Sequence, residues 1–443
     1  MRPPTIGTIP GRADDPARTR TALRVVFVTA YYPPYSVGGG EESTAVLADA
    51  LSARGHDVAL VAPRLGPEPP DVAAHVSTVD VGLRLRAAGQ PLPPRVWDRP
   101  LVQWRLAAAV ARAARGADVV HCHSLPLLPA AWAGARRARV PIVATVRDLG
   151  GVCPVAVCLL DGPRVPADSG VRKLEQECVP RFAELYGESR LRLTLTAPLR
   201  FATARGRSRL LDRCDAVTAV GSDLGPLYAE AGLVRRPFEV LPNIAELDGE
   251  RPPRREAAEA GGYALYAGKV SPGKGTEYLL RAVRTVRSTS PSFRLVVAGF
   301  ADARWRSRLA AEDGVEHLGR VPRAQLAELY AAARFAVVPS IWPEPFPRSA
   351  LEASVSGRAV VATTAGGIPD AVVDGETGIL VPPRDADALA AAFERLWSDP
   401  ELAARMGRAG ERLARERFSH DAVCAQTEAL YRRVVRSRSA ART

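Results

Sequence analysis

A short apolar run, Arg24-Val-Val-Phe-Val-Thr29, leads through a turn-rich loop ending in Gly38-Gly-Gly40 to a helix-spaced stretch from Glu41 to Arg54. Val46, Leu47, Ala50 and Leu51 share one face of that stretch, Gly55-His56 ends it, and a second apolar run follows from Asp57 to Ala62. Strand, glycine loop, helix and strand in this order make a βαβ unit, which by the handedness and pairing rules implies a parallel sheet.

The same alternation continues with a helix across Trp104 to Ala114, a strand at Asp118 to His121, a helix near Pro129 to Ala135 and a strand at Val140 to Thr145. Gly150 to Gly187 is rich in Pro, Gly and Cys and reads as a long excursion rather than core. Helices over Leu199 to Leu211 and Asp223 to Ala231 flank a further strand at Ala216 to Val220. After a linker rich in Pro, Arg and Glu, a second alternation opens at Tyr263 to Gly268. Its later strands are Arg294 to Ala298, Phe335 to Pro339 and Ala359 to Thr363, joined by helices at Thr276 to Arg287, Arg323 to Ala333, Arg348 to Val355 and Asp387 to Trp397.

A chain of 443 residues is too long for one core. The expected organisation is a disordered tail over 1–21, an N-terminal domain over 22–242, a linker over 243–262, a C-terminal domain over 263–415, and a C-terminal helix with a basic tail over 416–443. The fold class is α/β, with two doubly wound Rossmann-like domains facing a central cleft.

Composition narrows the partners. The longest mostly apolar stretches, such as Leu125 to Ala135, fall short of the roughly 20 residues that cross a membrane. Met1 to Thr21 has no apolar core, so no secretory signal is expected and a cytoplasmic location is. Six widely spaced cysteines fit reduced thiols, although Cys153, Cys158 and Cys178 share one segment that leaves a local metal site or disulfide open. The net charge of +12 suits a phosphorylated substrate, nucleic acid or an anionic membrane surface without choosing among them. Neither zinc-finger spacing nor an aromatic-basic strand signature is present, so no nucleic-acid partner is expected.

Three loops carry candidate chemistry. In Pro339-Ser-Ile-Trp-Pro-Glu-Pro-Phe-Pro-Arg-Ser-Ala-Leu-Glu-Ala353, Glu344 falls on the loop after a strand and Glu352 early in the next helix. Ionised carboxylates accept from sugar and ribose hydroxyls, and the helix-start N–H groups lack intrahelical partners. Solvated surface glutamates would look the same. In Gly268-Lys-Val-Ser-Pro-Gly-Lys-Gly275, glycines permit close approach while Lys269 and Lys274 can neutralise phosphate, although an exposed basic turn has similar composition. The stretch is not a P-loop, because Gly275 follows Lys274. Gly366 and Gly367 follow another apolar strand, where backbone amides meet a ligand or simply make a tight turn, and Gly39 and Gly40 occupy the equivalent turn in the first domain.

Taken in order, these segments resemble the family 4 retaining glycosyltransferases, which have the two-domain glycosyltransferase-B (GT-B) architecture. The resemblance runs from about Leu23 to Phe418. Its strongest element is Glu344-Pro-Phe-Pro-Arg-Ser-Ala-Leu-Glu352, supported by Gly38-Gly-Gly-Glu41, Gly268 to Gly275, and Gly366 to Pro382.

The resemblance implies a catalytic group of Glu344, Lys274 and Lys269, with the lysines on the donor diphosphate and Glu344 near the transferred sugar. It implies donor contacts from Glu352, at the ribose, and from Gly39, Gly40, Phe346, Pro347, Gly366 and Gly367. The implied reaction moves a sugar, with retention, from a nucleoside diphosphate sugar to a hydroxyl on a small-molecule, lipid-linked or glycan acceptor; the basic charge leaves open a peripheral contact with an anionic membrane at its inner face. Without an Asp-x-Asp motif beside these loops, no metal and no cofactor are expected.

Two departures stand out: Arg147 where the family often has histidine, and Pro347 where glycine is common. Arginine stays protonated and cannot serve as a neutral base, so Arg147 and the nearby His123 are candidates for acceptor or sugar contact. A non-catalytic nucleotide-sugar scaffold, a sugar phosphorylase and an epimerase remain alternatives, because fold does not fix function.

Overall fold

The computed structural model describes residues 22–35, 39–63, 76–78, 96–162, 165–166, 168, 170–245 and 262–440. The expected tail over 1–21, most of the expected linker (246–261) and Gly38 lie outside the described residues.

Seven strands form the first sheet: β1 Arg24–Val28, β2 Asp57–Val61, β3 Val76–Thr78, β4 Val119–Cys122, β5 Ile142–Val146, β6 Ala216–Ala219 and β7 Glu239–Val240. They lie in the order β3-β2-β1-β4-β5-β6-β7, and every pairing is parallel. Six strands form the second sheet: β8 Ala264–Ala267, β9 Leu295–Ala298, β10 Val315–Gly319, β11 Phe335–Val338, β12 Ala359–Thr363 and β13 Gly378–Val381. Their order is β10-β9-β8-β11-β12-β13, again all parallel. Helices cover both faces, so the interior strands β4, β5, β6, β9, β11 and β12 are buried along their whole length.

The edges differ from the sequence reading. β3, β7, β10 and β13 have no counterpart among the expected strands. Described β7 residues are exposed and β10 is only part-buried, so neither needs the continuous apolar run that marks an interior strand.

The Gly150 to Gly187 excursion is also more ordered than its composition suggests. It contains a 3-10 turn, Val157–Leu160, and a helix, Val179–Tyr186. Val155, Val157, Leu160, Leu174, Cys178 and Val179 bury a small core against Leu193, Ala197 and Phe201 of the helix Arg190–Ser208. The excursion therefore stabilises itself by apolar burial of its own.

The last helix, His420–Ala440, packs on the first domain. Val423, Cys424, Leu430, Tyr431 and Val434 join Val25, Phe27, Leu47 and Leu51 in one buried cluster. The Tyr431 hydroxyl lies 2.6 Å from Nδ1 of the buried His121, and Arg54 Nε donates to Glu428 Oε1 at 2.7 Å. Among the described residues, no helix is long and apolar enough to cross a membrane.

Candidate active site

Strand order reverses beside β1 and β4 in the first sheet and beside β8 and β11 in the second. Crevices outside the carboxyl ends of strands at such points are where open α/β sheets take ligands. β8 exits into Gly268 and Lys269, a 3-10 turn at Pro272–Lys274 and the helix Thr276–Thr289, while β11 exits through Pro339 to Pro347 into the helix Arg348–Val355.

The two exits touch because of Gly275. It sits at φ 72°, and a Cβ there would lie 1.8 Å from the Pro339 carbonyl oxygen. Across this close approach Lys274 Nζ donates to Glu344 Oε1 at 2.6 Å. Ser340 Oγ donates to the same oxygen, also at 2.6 Å. The Glu344 side chain is only 8% exposed, and both bonds reach the same one of its two oxygens. With both donors on Oε1, Oε2 is left to accept from a ligand hydroxyl.

Further contacts hold that carboxylate in place. Thr363 Oγ1 at the end of β12 donates to the Ser340 carbonyl at 2.5 Å. Gly366 bridges to Glu344 along the backbone, and the Gly367 N–H donates to the Glu344 carbonyl at 2.6 Å.

Glu352 lies in the second turn of the helix Arg348–Val355. Its Oε2 accepts from the Tyr330 hydroxyl at 3.3 Å and its Oε1 from Arg348 at 3.4 Å. No side chain caps the start of this helix, and Arg348 and Ser349 line the cleft there. Uncapped N–H groups at a helix start favour an anion.

Between the domains lies a cavity of about 570 Å³. Lys269, Lys274, Arg320, Glu344 and Glu352 face it from the second domain, and Gly40, Arg147 and Asn243 from the first. Ser222 of the first domain joins Asp370 of the second, its N–H donating to Oδ2 at 2.7 Å and its hydroxyl to Oδ1 at 2.8 Å.

Arg147 follows β5, donates to Asn243 Oδ1 at 2.9 Å and to His123 Nδ1 at 3.2 Å. Burial draws its pKa down to about 10, opposed by Glu41, so it remains a cation at neutral pH. Because arginine only donates, His123 Nδ1 must accept and the ring proton sits on Nε2. Burial, with His121 and Arg147 adding to it, holds the His123 pKa well below its ordinary value.

Residues 37–248 match Glycosyltransferase Family 4 and residues 250–413 match Glycosyl transferases group 1. A D-inositol 3-phosphate glycosyltransferase of Streptomyces scabiei is 30% identical over 343 residues, covering 71% of this chain and 67% of that protein. The chain belongs to the family 4 glycosyltransferases. A glycogen synthase of Mycobacterium tuberculosis is 28% identical over 431 residues, or 92% of this glycosyltransferase and 94% of that protein. The sucrose-phosphate synthase of Thermosynechococcus elongatus superposes with a TM-score of 0.70 at 23% identity, over 94% of this chain and 100% of that one. The shared architecture is GT-B.

In this glycosyltransferase the expected site residues fall into two groups. Lys269, Lys274, Glu344, Glu352, Pro347, Gly40 and Arg147 line one cleft. Phe346 lines it too, with its ring packed edge-on against Phe418 at 5.4 Å between centroids. Gly366 and Gly367 support the Glu344 backbone instead of lining the cleft, and Gly39 begins the helix Gly39–Ala53. His123 stands behind Arg147, and His121 is spanned by Tyr431 and Thr145.

Sequence reasoning missed Ser340, Asn243, Arg320 and the Ser222–Asp370 pair. Ser340 stood in plain view beside Pro339, four residues before Glu344. Asn243, the first residue of the expected linker, is buried and accepts from Arg147. Cys153, Cys158 and Cys178 are free thiols around one small cavity, and among the described residues no three His, Cys, Asp or Glu side chains are placed to hold a metal ion.

Proposed function

We propose that this glycosyltransferase binds a nucleoside diphosphate sugar in the interdomain cleft and transfers the sugar, with retention, to an acceptor hydroxyl. The observation that carries this reading is the Lys274–Glu344 pair, which sets a cation beside a hydroxyl acceptor at the switch point of the second sheet. A diphosphate needs the first and a sugar needs the second.

Lys269 and Lys274, with the uncapped start of the helix Arg348–Val355, stabilise charge accumulating on the departing diphosphate. Glu344 orients the transferred sugar through Oε2, and Glu352 holds the nucleotide ribose. The incoming hydroxyl attacks on the face the diphosphate leaves, and a leaving phosphate oxygen takes its proton. Glu344 is not assigned as a nucleophile; it orients sugar hydroxyls and supports the electrostatics of the cleft. Arg147 and Asn243 contribute the acceptor side, so the first domain takes the acceptor and the second the donor. The acceptor is a hydroxyl-bearing small molecule, glycan or lipid-linked sugar, and a net charge of +12 suits work at the inner face of an anionic membrane.

The test is mass-spectrometric product detection across a matrix of nucleotide sugars and hydroxyl acceptors, with the anomeric configuration of the product read by NMR. Glycosylated acceptor of unchanged configuration is expected. Donor that binds tightly but is never consumed with any acceptor, or free donor returned as its epimer, would reject the reading.

A further inference from the structure

The helix Arg190–Ser208 has two apolar faces. Leu193, Ala197, Phe201 and Ala204 are buried against the protein. Leu191, Leu195 and Leu199, at i, i+4 and i+8, form a stripe about 12 Å long on roughly the opposite side. They are 72, 74 and 49% exposed. Large apolar side chains exposed in a row are uncommon on a soluble surface and mark a contact.

Charge selects the partner. The helix carries Arg190, Arg192, Arg200, Arg205 and Arg207 and no acidic residue. Arg190 and Arg192 are exposed beside the stripe, and the nearest acid in sequence is Glu188, just before the helix. At the other end Arg207 pairs with Asp98, in the turn leading to the helix Pro100–Ala113. That helix also holds no acid, and it exposes Leu101 and Trp104 at 57 and 67%. Leucine and tryptophan with flanking arginine is the composition that seats a helix at a lipid headgroup boundary.

We infer that the exposed stripe of the helix Arg190–Ser208, centred on Leu195, docks this protein on an anionic lipid bilayer. The inference extends the peripheral-membrane part of the proposed function and gives it a surface. It also links that surface to the cleft, because the helix Val179–Tyr186 just before it brings the Tyr186 hydroxyl against Gly273, where an added Cβ would lie 3.3 Å from it, beside Lys274.

Vesicle flotation tests it with the full chain, using phosphatidylcholine alone and phosphatidylcholine with about a third phosphatidylglycerol. Wild type is expected to float with the anionic vesicles only, and to be released when about 0.5 M salt screens the charges. Leu195→Asp and the double variant Arg190→Gln/Arg192→Gln should each lower the bound fraction about tenfold while keeping the wild-type thermal transition. Failure of wild type to bind any vesicle overturns the inference, as does equal binding by wild type and Leu195→Asp. Sedimentation velocity supplies the remaining arm: a dimer dispersed by Leu195→Asp, with no vesicle binding, assigns the stripe to a second copy instead. Transfer to a soluble acceptor is measured without lipid, so failure of docking and failure of the proposed reaction are read separately.

Discussion

Lys274 and Glu344 stand 70 residues apart in sequence and 2.6 Å apart in space, each at the exit of a strand that the second sheet places beside the other's. The pairing joins a nearly buried carboxylate to a cation on the wall of the cleft, so the position of each side chain depends on the other.

Lys274→Ala should lower kcat about 100-fold or more through loss of leaving-group stabilisation. Glu344→Gln keeps the shape and loses the charge, and should reduce kcat by a similar order. Steady-state kinetics with a saturating donor checks both, and activity within twofold of wild type in either variant would remove that residue from the reaction.

Glu352 meets its neighbours only through long contacts, 3.3 Å to Tyr330 and 3.4 Å to Arg348, which suits a carboxylate waiting for a ligand. Glu352→Ala should raise the donor KM about tenfold with little change in kcat, the pattern for binding shared by ground and transition states. Nucleotide affinity by calorimetry should fall in parallel. A variant that lost kcat alone would place Glu352 in the chemistry.

At the domain edge, a Cβ on Gly221 would lie 2.0 Å from the Pro345 carbonyl oxygen, which belongs to the other domain. Gly221→Ala should therefore wedge the cleft open, and Asp370→Ala should loosen it by removing both Ser222 bonds. Small-angle scattering should show a larger radius of gyration in both variants, and transfer should fall even at high donor concentration. An unchanged scattering profile would show that this edge does not govern closure.

Burial lowers the His121 pKa to about 3, with Arg147 adding to it. The unfolded chain takes up this proton near the ordinary value of about 6.5, so between those limits the unfolded state binds more protons. The resulting stability is complete above the upper limit and is lost as pH falls toward the lower one. In denaturant titrations across that window, His121→Gln should flatten the slope of stability against pH by up to about 1.4 kcal/mol per pH unit. An unchanged slope would mean that His121 does not carry this acid sensitivity.

The interior of the fold was legible because β5, Ile142–Val146, and β12, Ala359–Thr363, are buried on both faces and leave uninterrupted apolar runs. β10 is an edge, its Glu316 and His317 interrupt any such run, and with it went Arg320. Lys274, Glu344 and Glu352 stand out because their charged loops follow apolar strands and match the motifs of the family in order. Ser340, Asn243 and Asp370 act through contacts that only the folded chain creates, across 4, 96 and 148 residues. The Cys-rich excursion misled for a different reason: its apolar residues lack periodicity, and their partners lie on a helix further along the chain.

The helix His420–Ala440 supplies a wall of the first domain yet is made after the whole second sheet. While the ribosome is still translating β8 to β13, the surface formed by Phe27, Leu47 and Leu51 has no Tyr431 or Leu430 to cover it. The N-terminal half thus cannot complete this core until the second sheet has been made, which ties its folding to synthesis of the chain through Leu430 and Tyr431.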